Sequence, residues 1–167
     1  MCGRYAILDE EAILEMREII NQVNQKYAGR GGRIAAGEVR PSNLAPVLRA
    51  EDEKVRVDVM KWGFPRWDKS SGLIINGRAE TVTQKTLFSA SFQSRRVVVP
   101  ASGFFEWDKR EPARRIQYYF SLPGLVVYMA GFYSQFRQKD GTLSDCFVIL
   151  TMPAASPVAA IHDRMPV

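Results

Sequence analysis

The sequence predicts an α+β fold rich in β-structure: a single antiparallel sheet curled into a barrel or sandwich, with a few helices at its periphery. Three observations predict it. A segment near the N-terminus has helical apolar spacing, the stretches after residue 40 have the period of strands, and Pro- and Gly-bearing turns separate those stretches. The 167 residues hold no repeat, low-complexity tract or linker, so one domain spanning 1–167 is expected.

The elements follow in order. Asp9 is placed to cap a helix starting near Glu10. Ile13, Met16, Ile20, Val23 and Tyr27 recur at three and four residues and share one helical face. Gly29 ends the run, and GRGG (29–32) reads as a loop. Val55, Val57 and Val59 alternate with Arg56, Asp58 and Met60, the pattern of a half-buried strand. RRVVVP (95–100) reads as a short buried strand stopped by Pro100. QYYFSL (117–122) and VVYMAGF (126–132) flank Pro123-Gly124 and predict a hairpin. Asp140-Gly141 marks another turn, before SDCFVILT (144–151).

Composition narrows the classes of function. No run of about 18 apolar residues is present, so a spanning helix is excluded. The start, MCGRYAILDEEAILEM, lacks the basic-then-apolar layout of a secretory signal, which places the protein in the cytoplasm, or the nucleus of a cell that has one. Cys2 and Cys146 are too few for a disulfide scaffold, and Cys146, in CFVILT, is expected to pack in a strand. One histidine and no CxxC leave too few ligands for a zinc site, so no metal and no cofactor are expected. The net charge is +5, and sixteen of the 23 basic residues are arginine, whose planar fork suits phosphate. Nucleic acid is therefore the first candidate partner, against a basic surface that serves only solubility.

Five features can carry chemistry. Cys2 becomes N-terminal if Met1 is removed, which a small second residue permits. The product holds an amine and a thiol on adjacent carbons, with pKa values of about 8 and about 8.5. Such an aminothiol condenses with an aldehyde to a five-membered thiazolidine, which an internal cysteine cannot do. A thiolate attacking a carbonyl is the other use, and an incidental cysteine the plain reading. His162, in AIHDRMP, has polar neighbours and is expected outside the core as a proton shuttle or a surface residue. Glu106 in ASGFFEWDK would point away from Phe105 and Trp107 on a strand, either as a carboxyl of raised pKa or at an exposed edge. Asn76 and Arg78 lie in INGRAET, where an Asn-Gly turn competes with orienting and phosphate-holding roles. In MKWGFPRWDK, aromatic residues beside cations fit stacking on single-stranded nucleic acid or a core cluster in a loop.

Together, MCGRY, RPSNLAPV, WGFPRW, INGRAET, ASGFFEW and IHDRMPV occur in this order along the whole chain and closely resemble the SRAP (SOS-response-associated peptidase) family. The resemblance implies the SRAP fold and a protein of the DNA-damage response that binds single-stranded DNA and crosslinks to abasic sites. The aminothiol of Cys2 would close a thiazolidine on the ring-opened sugar aldehyde. Asn76 would position the amine, Glu106 would act as acid in ring opening, and His162 would handle proton transfers. Arg4 and Arg78 would clamp flanking phosphates, and the Trp62–Trp67 loop, with Trp62, Phe64, Pro65 and Trp67, would supply the base-stacking wedge. A monomer without membrane association is expected. The family motif usually reads INAR-E, so Gly77 departs from it and is expected to loosen a turn around Asn76. Members also continue for a few tens of residues past the histidine motif, whereas this sequence ends at Val167. Two other functions remain open: a cysteine peptidase whose firmest act is removal of Met1, and a non-catalytic nucleic-acid-binding module.

Overall fold

The computed structural model describes residues 2–8, 14–27, 36–66, 72–111, 113–138 and 140–167. In chain order the elements are β1 Tyr5–Ile7, α1 Leu14–Lys26, β2 Gly37–Val39, β3 Leu44–Glu51, β4 Lys54–Trp62, β5 Phe64–Pro65, β6 Leu73–Ile74, β7 Asn76–Arg78, α2 Thr86–Ser94, β8 Arg96–Ala101, β9 Gly103–Trp107, β10 Gln117–Ser121, β11 Val127–Arg137, β12 Leu143–Pro153 and β13 Arg164–Pro166. The expected β-rich α+β architecture with barrel-like curl is present. Strands β11, β8, β3, β4 and β12 pair in that order, and β12 closes back onto β11. A second sheet runs β10-β9-β1-β2, and β5 pairs with β6.

Most pairings are antiparallel, but β12 runs parallel to β4 and to β7. That long strand explains the apolar run CFVIL. Phe147 and Ile149 face the cluster that also holds Cys2, Tyr5, Met60 and Trp62. Cys146, Val148 and Leu150 face a second cluster with Phe64, Phe88 and Phe132. A strand buried on both faces needs no alternation. Cys146 packs there as expected, 1% exposed.

The helix buries Met16, Ile19, Ile20 and Val23, the spacing of one helical stripe. Tyr27 follows its end and gives its hydroxyl to Asp58. Asp9, Glu10, Ile13 and the 29–32 loop lie outside the described residues. Among the described residues, no helix is long and apolar enough to cross a membrane.

Three local expectations are corrected. In β4 the buried residues are Met60 and Trp62, of opposite parity to the valines, while Val55 is 73% exposed. Period two says that a strand has two faces but not which of them turns inward. Strand β8 continues through Pro100 to Ala101. Residues 117–122 and 126–132 do not form a ladder. Only Leu122 and Leu125 bridge, after which β10 joins β9 and β11 joins β8 and β12. The turn at Asp140-Gly141 does connect a hairpin, β11 with β12.

Within INGRAET, Asn76–Arg78 make a strand and the turn falls at 79–81, so Asn-Gly is not the turn; Asn76 lies opposite Ile149 and Gly77 opposite Leu150. A Cβ at Gly77 would sit 3.2 Å from Cε1 of Phe132. Phe132 is itself locked edge-on against Phe64, Phe88 and Phe92. Gly77→Ala recovers about 0.5–1 kcal/mol of chain entropy, but overpacking costs about 1–3 kcal/mol. Gly77→Ala is therefore expected to destabilise the fold by about 1 kcal/mol in denaturant titration, with the loss relieved by Phe132→Leu.

Candidate active site

Strand β9 lies between β1 and β10, with Tyr5 opposite Phe104 and Tyr118 opposite Glu106. The amide of Phe105 donates to the Arg4 carbonyl at 2.9 Å, which lays the N-terminal residues alongside Glu106. The alternation read from the sequence holds: Glu106 is buried at 1% exposure, while Phe105 and Trp107 on the opposite face are half-buried. Burial pushes the Glu106 carboxyl up to about 7.

Cys2 is fully buried, with its Sγ 3.7 Å from the Arg4 carbonyl oxygen. Burial first, and then the charge of Glu106, pushes its thiol up to about 12. The thiol is thus protonated at neutral pH. Arg4 lays its guanidinium over the Trp107 ring at 5.0 Å and pairs with Glu38 at 3.5 Å.

His162 is 5% exposed, against the expectation that it lies outside the core. Its amide donates to Val158 O at 2.9 Å, and the Lys109 amide donates to Ile161 O at 3.2 Å, so the preceding turn is pinned at both ends. Its Nε2 lies 3.6 Å from Oε2 of Glu106. The Arg164 amide nitrogen lies 3.0 Å and the Arg164 carbonyl oxygen 3.1 Å from Nδ1, so the tautomer of the neutral ring decides whether Nδ1 accepts from the one or donates to the other. Burial lowers the imidazole pKa, so the neutral ring prevails at pH 7. A protonated ring would still find a partner, because Oδ1 of Asp163 is 3.1 Å from Nδ1. Cys2, Glu106 and His162 thus converge, and burial biases both Glu106 and His162 toward their neutral forms, raising the carboxyl and lowering the imidazole.

Asn76 approaches from β7. Its Nδ2 reaches Ile149 O at 3.5 Å, while its buried Oδ1 accepts no hydrogen bond among the described residues. Among the described residues no hydrogen bond joins Asn76 to Cys2, Glu106 or His162. Two bridges hold it in register with them. Trp62 donates Nε1 to Ile75 O at 3.0 Å. Arg164, two residues past His162, grips Glu80 through both nitrogens and gives Nη2 to Thr151 O at 2.6 Å. That guanidinium holds the Glu80 carboxyl down to about 2. Sequence reading missed this bracket; the only available signal was that Glu80 and Arg164 both lie inside recognised segments.

The DNA-contact residues divide. Arg78 is exposed and lines a cleft of about 310 Å³ with Asn76, with Arg66, one of the cations of MKWGFPRWDK, and with Lys85, a cation that the sequence did not single out. Pro65 is half-buried in β5. Trp62 and Phe64 are both 0% exposed. Trp62 packs on Tyr5 and Phe147, and Phe64 on Phe88, Phe132 and Phe136, so neither ring offers a face to a base. For these two the core reading of the WGFPRW segment replaces the wedge reading. Trp67 lies outside the described residues. Among those residues no group of three or more His, Cys, Asp or Glu side chains could hold a metal ion.

The family model described as SOS response associated peptidase (SRAP) matches residues 1–167. The abasic site processing protein YoqW of Bacillus subtilis is 30% identical over 174 residues, covering 100% of this chain and 75% of that one. The abasic site processing protein YedK of Escherichia coli is 30% identical over 170 residues, covering 99% and 74%. HMCES of Xenopus tropicalis, also named an abasic site processing protein, is 29% identical over 162 residues, covering 75% and 48%. Among solved structures, a Bordetella bronchiseptica protein superposes with a TM-score of 0.73 at 20% identity, over 99% of this chain and 82% of that one. A Bacteroides thetaiotaomicron protein does so with 0.72 at 26%, over 99% and 75%. The chain belongs to the SOS response associated peptidase (SRAP) family.

Proposed function

We propose that this protein captures abasic sites in single-stranded DNA by forming a thiazolidine between Cys2, freed as the N-terminal residue, and the aldehyde of the ring-opened sugar. The observation that carries the reading is the convergence of Cys2 with a buried acid–base pair, Glu106 and His162, whose nearest atoms are 3.6 Å apart. Its relatives' names, abasic site processing proteins, supply the substrate class.

The chemistry follows from the groups present. Glu106, with a pKa of about 7, is half-protonated near neutrality and can give a proton to the sugar ring oxygen as the ring opens. The Cys2 amine then adds to the aldehyde carbon, and water leaves to give an imine. Asn76 Oδ1, buried and without a donor among the described residues, receives an N–H of that amine and orients its lone pair. Sulfur adds across the C=N bond, its proton leaves, and nitrogen regains one; His162 and Glu106 relay the difference. Arg4 and Arg78 hold flanking phosphates, with Arg66 and Lys85 extending the cationic wall around Asn76.

A thiol peptidase is the second reading, and one observation counts against it. A thiol pushed up to about 12 supplies almost no thiolate for attack on an amide, whereas an aldehyde is met first by the amine. A non-catalytic binding module would have no use for a buried acid–base pair beside its second residue. The test is incubation with a single-stranded oligonucleotide carrying one abasic site, followed by a denaturing gel. A denaturation-resistant adduct is expected, and none with the same strand bearing an intact base. Absence of an adduct would overturn the proposal.

A further inference from the structure

The phenol of Tyr5 is not used by the chemistry above. Its side chain is 0% exposed, and its hydroxyl has no hydrogen-bond partner among the described residues. A buried orphan hydroxyl costs about 1–3 kcal/mol, so it calls for a reason. Tyr5 is also held firmly. Its backbone is paired on both sides, with Val39 and Phe104, and its ring lies 5.1 Å from that of Trp62 at 57°. It shares one core cluster with Cys2.

We propose that the Tyr5 hydroxyl donates a hydrogen bond to the Cys2 sulfur as that sulfur closes the thiazolidine ring. This rests on the crosslinking reaction proposed above. Cys2 Sγ here faces the Arg4 carbonyl. In the proposed closure, rotation about the Cα–Cβ bond of Cys2 turns the sulfur from that carbonyl to the phenol. In the closing step the S–C bond forms, the π pair of the imine moves to nitrogen, and the thiol proton passes to that nitrogen; Tyr5 keeps its own. Negative charge on sulfur is most costly in a site from which water is excluded, and a fixed neutral donor is most effective there. Burial holds the phenol well above its ordinary range, so it remains a donor.

Tyr5→Phe keeps the ring and removes only the oxygen. The closing step is followed by quenching the reaction with crosslinked strand at intervals in borohydride, which traps an imine but not a thiazolidine. The variant is expected to melt at or above the temperature of the unaltered protein and to close about tenfold more slowly, the loss of one hydrogen bond to a charged atom. The borohydride-trappable fraction should rise at early times, and the pH at which closure is half-maximal should move upward. An unchanged closing rate and pH profile in a variant that folds normally would overturn the assignment. Absence of any adduct with the unaltered protein would instead remove the crosslinking reaction itself, so the two failures are distinguishable.

Discussion

Replacing Cys2 with alanine is expected to abolish the denaturation-resistant adduct entirely while leaving binding to single-stranded DNA within about twofold. The first half follows from chemistry. An alanine amine can form an imine, but nothing can then close onto it, and the imine hydrolyses. The second half follows from position. Cys2 is fully buried, so it adds nothing to the exposed cationic surface around Arg78 and Lys85 that is proposed to hold phosphate. Truncation of one small buried side chain costs about 1–2 kcal/mol of stability, so the variant should fold. Fluorescence anisotropy with labelled strand measures the binding, and a denaturing gel measures the adduct. Loss of both together would point to a structural role for Cys2.

Glu106→Gln is expected to slow adduct formation by about 10²–10⁴, the usual contribution of a general acid or base. The substitution keeps shape and removes the titration. Because the parent carboxyl titrates at about 7, the acid-dependent rate should fall as pH rises through that value, and the variant should lose this limb. The effect on stability has the opposite sign. The carboxyl is raised above its ordinary 4.5, so between 4.5 and about 7 the folded state binds more protons than the unfolded state. Folding is therefore weakened as pH rises across that interval, and the weakening is complete above it. Glu106→Gln should accordingly melt higher than the parent at pH 8, where the parent buries a charge, and show no such gain at pH 4. A site residue whose removal stabilises the fold is one kept for its chemistry.

Much of this arrangement was legible in the sequence where local rules decide. The stripe of Met16, Ile20 and Val23 faces the core because helical spacing leaves no other choice. Glu106 faces opposite to Phe105 and Trp107 because strand alternation is strict. The misreadings share a physical cause: they depend on contacts between segments far apart in the chain. Barrel closure by β12, more than eighty residues away, turns Trp62 inward. Its ring serves Ile75 and Tyr5, although the segment around it alternates aromatic residues with cations. His162 is polar in its local sequence, yet β13 pairs with β12 and draws it under the surface. The 117–132 segment has hairpin turn chemistry, but its strands find better partners in two different sheets. The Arg164–Glu80 bracket spans 84 residues, and no local pattern announces it.

That bracket and the Trp62 bond carry a point about the site. Cys2, Glu106 and His162 gather at the N-terminal strand of one sheet, while Asn76 arrives on β7, paired to the barrel. Their mutual placement is a property of the packed structure, so loss of either bridge should reduce crosslinking before it reduces DNA binding.

The central claim is that amine and thiol of one residue act together on one aldehyde, and intact-mass measurement of the purified adduct tests it most directly. The account predicts a species with the mass of the chain without Met1 plus that of the abasic strand, less one water, unchanged by borohydride. An adduct that retains Met1, or one that borohydride converts quantitatively to a reduced product at equilibrium, would contradict it.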